Sequence, residues 1–240
     1  MTTPQGYMNP TLFQKIINQL PENTTIVPFF RGESLTHPLF PTYMRQLKQF
    51  KTVQLATNGD VITPANQQAI LNACTFLSVS LHEFKYPNQT RFIGLLYDAL
   101  GKGLETQVSI LETLLPERKR KGFIKAWQKH VNKVRIYKEH SINGFGDILN
   151  TPQPTTPCHK PFEDMIIYWN GNVGLCNHDW NNSVYLGNLN TQSIKEVYNG
   201  SAYMNVRSQH LSGNRCAIAT CKDCSFNSNK VYGEIINAHN

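Results

Sequence analysis

The stretch CHKPFEDMIIYWNGNVGLC, residues 158–176, decides how the chain is read, because two cysteines bracket an apolar run that an Asn-Gly pair interrupts. Residues 164–169 and 173–176 suit two short strands, and Asn170-Gly171 between them tolerates positive φ, so the segment predicts a β-hairpin flanked by Cys158 and Cys176. Farther on, Cys221-Lys222-Asp223-Cys224 has the Cys-x2-Cys spacing that lets two thiolates grip one metal centre from a tight turn. Five of the six cysteines follow residue 157, a clustering that favours metal binding over unrelated buried thiols. Cys158, Cys176, Cys221 and Cys224 thus form a candidate site of four thiolates. By residue chemistry alone it suits an iron–sulfur cluster or a structural zinc, and His159 or His178 could replace a thiolate around zinc. Short helices are predicted after the hairpin, at 193–198 and 202–211.

Upstream, residues 141–157 are rich in Gly and Asn and end in Thr-Pro-Gln-Pro-Thr-Thr-Pro, a composition that suits an extended linker. The expected division is a first domain over 1–140, a linker over 141–157 and a second domain over 158–240. In the first domain β-rich runs at 24–30, 52–57, 75–81, 105–111 and 133–138 alternate with helical periodicity. The helices are expected after the Asn9-Pro10 cap, around 39–50, from Pro64 with Thr63 as cap, over 88–100 and over 116–132. Strand and helix in alternation predict a parallel α/β architecture. On the last strand Arg135 alternates with Val134 and Ile136, and periodicity leaves its face open.

The bulk properties exclude some classes. With 240 residues and 40% hydrophobic content the chain can bury a core without disulfides. No apolar run reaches bilayer length, and the first residues lack the basic start and apolar stretch of a signal peptide, so a cytoplasmic, membrane-free protein with reduced thiols is expected. The formal charge of +7 invites a nucleic-acid partner. However, the densest basic run, Arg118 to Lys121, opens a helix with Phe123, Ile124, Trp127 and Val131 on one face, so it reads as a solvated outer face and no nucleic acid is expected.

The spacing Cys158-x12-Gly171-x4-Cys176 resembles the opening of the SPASM motif of SPASM/Twitch domains, which accompany radical SAM enzymes. Pro161, Met165-Ile166-Ile167, Leu186-Gly187-Asn188, the run 193–198, Arg207, His210 and Thr220 to Cys224 extend the resemblance over residues 158–226. It implies one auxiliary 4Fe–4S cluster on the four cysteines. Full SPASM domains carry further cysteines for a second cluster, so Cys216 is a spare thiol or an alternate ligand, and Cys74 is expected in the core.

The first domain in turn resembles the radical SAM partial barrel, in which six parallel strands hold S-adenosylmethionine; the five strands here would be its second to sixth. Residues 29–35, Phe-Phe-Arg-Gly-Glu-Ser-Leu, resemble the Gly-Gly-Glu-Pro motif, which implies that the Gly32 backbone and the Glu33 carboxylate hold the amino group of SAM, although Arg31 and Ser34 depart from the pattern. Thr57 and Asn58 close the next strand and Ser80 the one after, positions that the resemblance directs at the ribose or carboxylate of SAM. The fold expected is therefore a truncated radical SAM-type β/α barrel followed by a small α+β iron–sulfur domain. The family's Cys-x3-Cys-x2-Cys is absent from the sequence. That absence implies no reductive SAM cleavage by the chain as written, and it places the missing strand and triad just upstream of Met1, through a misassigned start, a split gene or a truncation. No catalytic residue is assigned. The implied function is that of a SAM-dependent radical oxidoreductase or peptide-modifying protein, with a peptide or small-molecule substrate and a reductant protein as partners. A non-catalytic cluster-binding or electron-transfer protein is the alternative, and a structural zinc protein the third.

Overall fold

The structure is a computed structural model that describes residues 4–138, 157–179, 182–222, 224 and 233–238. In chain order it contains α1 (Pro10–Ile17), β1 (Thr25–Ile26), α2 (Phe40–Leu47), β2 (Thr52–Thr57), α3 (Pro64–Ala73), β3 (Phe76–Leu81), α4 (Ile93–Gly101), β4 (Glu105–Leu111), α5 (Glu117–Trp127) and β5 (Lys133–Tyr137). There follow α6 (Lys160–Glu163), β6 (Ile166–Ile167), β7 (Asn172–Gly174), β8 (Tyr185–Asn188), α7 (Ile194–Tyr198), α8 (Ser201–Leu211), α9 (Ala219–Lys222) and β9 (Glu234–Asn237). By contact the chain divides into two compact units, one drawn from Met1–Leu20 and Glu139–Val231, the other from Pro21–Lys138 and Tyr232–Asn240. The linker expected at 141–157 lies outside the described residues apart from Pro157.

In the second of these units β1 to β5 pair in sequence order, all parallel, and β9 closes the sheet antiparallel to β5. Strand β1 stops at Ile26, earlier than the run 24–30 suggests. Pro28 explains this, since it has no N–H for a ladder. The pairing register fixes two faces. Val53, Leu55, Leu77, Val79, Val108, Ile110, Val134 and Ile136 alternate onto one of them, each at most 2% exposed. Leu47, Ile70, Leu96, Phe123 and Trp127 of the connecting helices are as deeply buried, and such side chains contribute about 1.5–3 kcal/mol each. The other face is polar: Gln107 donates to Ser78 Oγ at 3.0 Å, the Ser80 and Ser109 hydroxyls lie 3.2 Å apart, and Arg135 sits in register with Ser109. Arg135 thus shares the polar face, half-buried, its guanidinium 4.2 Å from the Tyr137 ring centroid. Around Arg118 to Lys121 the basic run is exposed except for Arg120, which pairs with Glu112 at 3.1 Å and Glu234 at 2.8 Å and so fastens α5 to β9. No helix among the described residues is long and apolar enough to cross a membrane.

The first unit is a small α+β body on the antiparallel sheet β6-β7-β8. Its core contains Val173, Leu175, Leu186, Leu189, Val197, Tyr203 and Val206, joined by Leu12 and Ile16 of α1. Helix α1 is capped by Asn9, whose Oδ1 accepts from Leu12 N at 2.9 Å. It was expected with the sheet domain. Its apolar stripe packs here instead, held by Lys15 Nζ on the Leu189 carbonyl at 2.6 Å and by the Ile194 amide on Gln19 Oε1 at 2.8 Å.

Candidate metal centre

Hairpin β6–β7 carries Cys158 and Cys176 on its two flanks, and its turn depends on Gly171. There φ is +84°, and a Cβ would come within 2.5 Å of Asn190 Nδ2. Tyr168 N donates to Asn172 O and Gly171 N to Tyr168 O, both at 2.9 Å, so the turn needs one positive φ, at Gly171 alone. Before the hairpin, Arg207 of α8 donates from Nε to the Pro161 carbonyl at 2.9 Å and from Nη1 to the Tyr198 carbonyl at 2.8 Å, which anchors the segment after Cys158. Beyond it, α9 presents Cys221, and Cys224 follows one turn later with its N–H on the Cys221 carbonyl at 3.4 Å.

The cysteines expected to act together line a single cavity, with Lys160, Pro161, Leu175, His178, His210, Arg215 and Thr220 completing the wall; the Lys160 ammonium is paired with Asp164. Cys176, Cys221 and Cys224 are buried, Cys158 is half-buried and Cys216 is exposed. Burial pushes the Cys176 thiol up to about 12, against the pull of the His178 and Asp179 amides. Burial also raises Cys221; Cys176 adds to that rise, and the Arg215 charge opposes it. Metal-free, these two groups are thiols, and metal binding has to release their protons.

Three polar side chains not singled out for the site from the sequence hold the wall together. Asp179, fully buried, accepts on Oδ1 from Ser183 N (2.9 Å), Ser183 Oγ (2.8 Å) and Thr220 Oγ1 (2.9 Å), and on Oδ2 from Val184 N (3.0 Å). Since Asp179 follows Cys176 by three residues and Thr220 precedes Cys221, this carboxylate ties the hairpin exit to the Cys-x2-Cys turn. His210 Nδ1 accepts from the Cys158 amide at 3.3 Å, and its Nε2 lies 3.6 Å from Cys221 Sγ. Arg215 Nη2 donates to the Cys224 carbonyl at 3.1 Å. Only His210 had a sequence signal, as part of the resemblance; a buried Asp or Arg has none.

In the sheet unit Glu33, Thr57 and Asn58 do come together. Glu33 Oε1 accepts from Thr57 Oγ1 and Leu35 N, both at 3.0 Å, and Oε2 from Asn58 N at 2.8 Å. With about four acceptor positions on a carboxylate, one remains for a further donor. Gly32 precedes it at φ +84°, and Ser80 lies against Ser109 rather than in this group. Cys74 is buried at the end of α3, 7% exposed.

Residues 158–225 match the family model of the SPASM iron–sulfur cluster-binding domain. A curated relative, the S-adenosyl-L-methionine-dependent 2-deoxy-scyllo-inosamine dehydrogenase of Niallia circulans, is 28% identical over 97 residues, 38% of this chain and 39% of that protein's length. Among solved structures, BtrN in complex with AdoMet and 2-DOIA aligns with a TM-score of 0.67 at 18% identity, covering 97% of this chain and 87% of that one. SuiB of Streptococcus suis bound to S-adenosylmethionine aligns with a TM-score of 0.65 at 12% identity, covering 86% of this chain and 63% of that one. For anSMEcpe with bound AdoMet the TM-score is 0.60 at 10% identity, with 85% and 75% covered. Such structural likenesses speak for the fold. Residues 158–225 are thus similar to the SPASM iron–sulfur cluster-binding domain, and the fold of the chain, with its parallel sheet, is similar to that of these AdoMet-bound structures.

Proposed function

We propose that the chain binds one auxiliary 4Fe–4S cluster through Cys158, Cys176, Cys221 and Cys224 and serves in a SAM-dependent oxidation of a small polar substrate. The observation behind this reading is the convergence of these four cysteines, from three separate segments, on one cavity that also receives a buried guanidinium. The donor set fits: soft thiolates suit iron–sulfur clusters, and Arg215 suits their net negative charge. When bound, the cluster supplies a one-electron relay.

The chain's own residues would do the rest. Glu33, with its remaining acceptor position, would take the ammonium of SAM, beside the Gly32 backbone, Thr57 and Asn58. Ser80 and its polar face would serve the ribose or carboxylate. An oxidation of a small polar molecule draws its support from the dehydrogenase relative, whereas the complex of SuiB with the precursor peptide SuiA keeps a peptide substrate as the competing class. A second reading rests on a specific fact, that the sequence contains no Cys-x3-Cys-x2-Cys. In that reading the chain relays electrons or binds a partner without cleaving SAM, and a reductant protein is its natural partner. Anaerobic purification tests the shared core of both. About four irons with matching sulfide per chain are expected; colourless protein with one zinc would overturn the cluster assignment.

A further inference from the structure

Arg215 is 6% exposed, and its Nη2 reaches the Cys224 carbonyl at 3.1 Å. Its Nε and Nη1 are buried with no hydrogen-bond partner among the described residues, although the side chain lines the cysteine cavity. A guanidinium stays charged, and burying it unpaired is strongly unfavourable unless something anionic takes its place beside it. His210, 2% exposed, lies on the same wall. Because its Nδ1 accepts the Cys158 amide, the proton of the neutral ring sits on Nε2, aimed at Cys221 Sγ at 3.6 Å. One residue thus supplies a fixed charge on the cavity wall and the other a fixed N–H donor aimed at sulfur.

We propose that Arg215 and His210 set the reduction potential of the cluster, Arg215 by compensating its charge and His210 by hydrogen-bonding the Cys221 thiolate. The proposal rests on the cluster reading above and deepens it. Four thiolates give the cluster net negative charge, and reduction adds one more. In a dry, low-dielectric pocket a neighbouring cation therefore stabilises the reduced state more than the oxidised one, as does an N–H aimed at sulfur. Both residues hold the potential up.

The test is an anaerobic redox titration of the full-length, iron-loaded chain, followed by the electron paramagnetic resonance of the reduced cluster, with iron counted in every sample. Arg215→Met should keep its iron and favour the oxidised state by roughly tenfold or more, a fall of about 59 mV for one electron. Arg215→Lys, which keeps the charge and loses the fork, should lie between Met and the parent, and His210→Phe should shift in the same direction as Met by less. Parental potentials at full iron content in both Arg215→Met and His210→Phe would overturn the proposal. If Arg215→Met sheds iron, Arg215→Lys decides: iron retained supports charge compensation, and iron lost from both variants contradicts it. A parent chain that takes up no iron would instead sink the cluster reading, an outcome separate from an unshifted potential.

Discussion

Replacing Asp179 should loosen the cysteine wall more than any other single substitution outside the ligands. The carboxylate accepts two backbone amides, Ser183 N and Val184 N, and two hydroxyls, Ser183 Oγ and Thr220 Oγ1, all at 3.0 Å or less. In Asp179→Ala the hydroxyls keep each other, since they already lie 2.6 Å apart. The two amides do not, and each buried stranded donor costs about 1–3 kcal/mol. Loss of the charge-assisted bonds and the small cavity bring the expected destabilisation to about 3–5 kcal/mol. Asp179→Asn keeps one acceptor but turns an NH2 towards an amide N–H, so about half of that loss is expected, and Thr220→Val, which removes one bond, should cost about 1 kcal/mol. Equilibrium urea unfolding of the iron-loaded chain, followed by its sulfur-to-iron absorption, reads all three. An Asp179→Ala midpoint equivalent to less than about 0.5 kcal/mol, the range of an inert surface change, would refute the argument.

Cys221→Ser and Cys176→Ser should each abolish or deplete the cluster, whereas Cys74→Ser, in the core of the other unit, should leave iron per chain unchanged; metal analysis after identical loading compares them. In the loaded protein a thiol reagent at about pH 8 should modify exposed Cys216 first. Cys74 should react slowly, because burial raises its thiol to about 12 and the group stays protonated below that pH; chelation should add the four cavity cysteines to the count, as read by mass spectrometry. Gly171→Ala forces φ +84° on an L residue and drives a Cβ to 2.5 Å from Asn190 Nδ2, so thermal or urea unfolding should show a loss of about 1–2 kcal/mol or more.

Much of this was legible along the chain because it follows from local rules. Strands β2 to β5 could be read as β-rich runs between helical stretches, and the caps Asn9 and Thr63 behave as their chemistry dictates, each accepting a first-turn amide. Strand β9 could not be read, since Glu-Ile-Ile-Asn is too short to show a period and becomes a strand through its ladder to β5. The placement of α1 was hidden for a similar reason: its stripe of Leu12 and Ile16 announces a buried face without saying against what. At the site, spacing singled out the cysteines. The side chains that govern their charge and rigidity, Asp179 and Arg215, look like ordinary surface residues in sequence, and only tertiary burial makes them consequential.

Cys158, Cys176, Cys221 and Cys224 are expected together to hold one iron–sulfur cluster. Crystals of the anaerobically loaded chain, with anomalous data collected on both sides of the iron edge, test it most directly. One compact multi-iron peak bounded by those four sulfurs is expected, with neither Cys74 nor Cys216 bound to iron. A single-ion peak that persists only at the zinc edge, or iron held elsewhere, would contradict it.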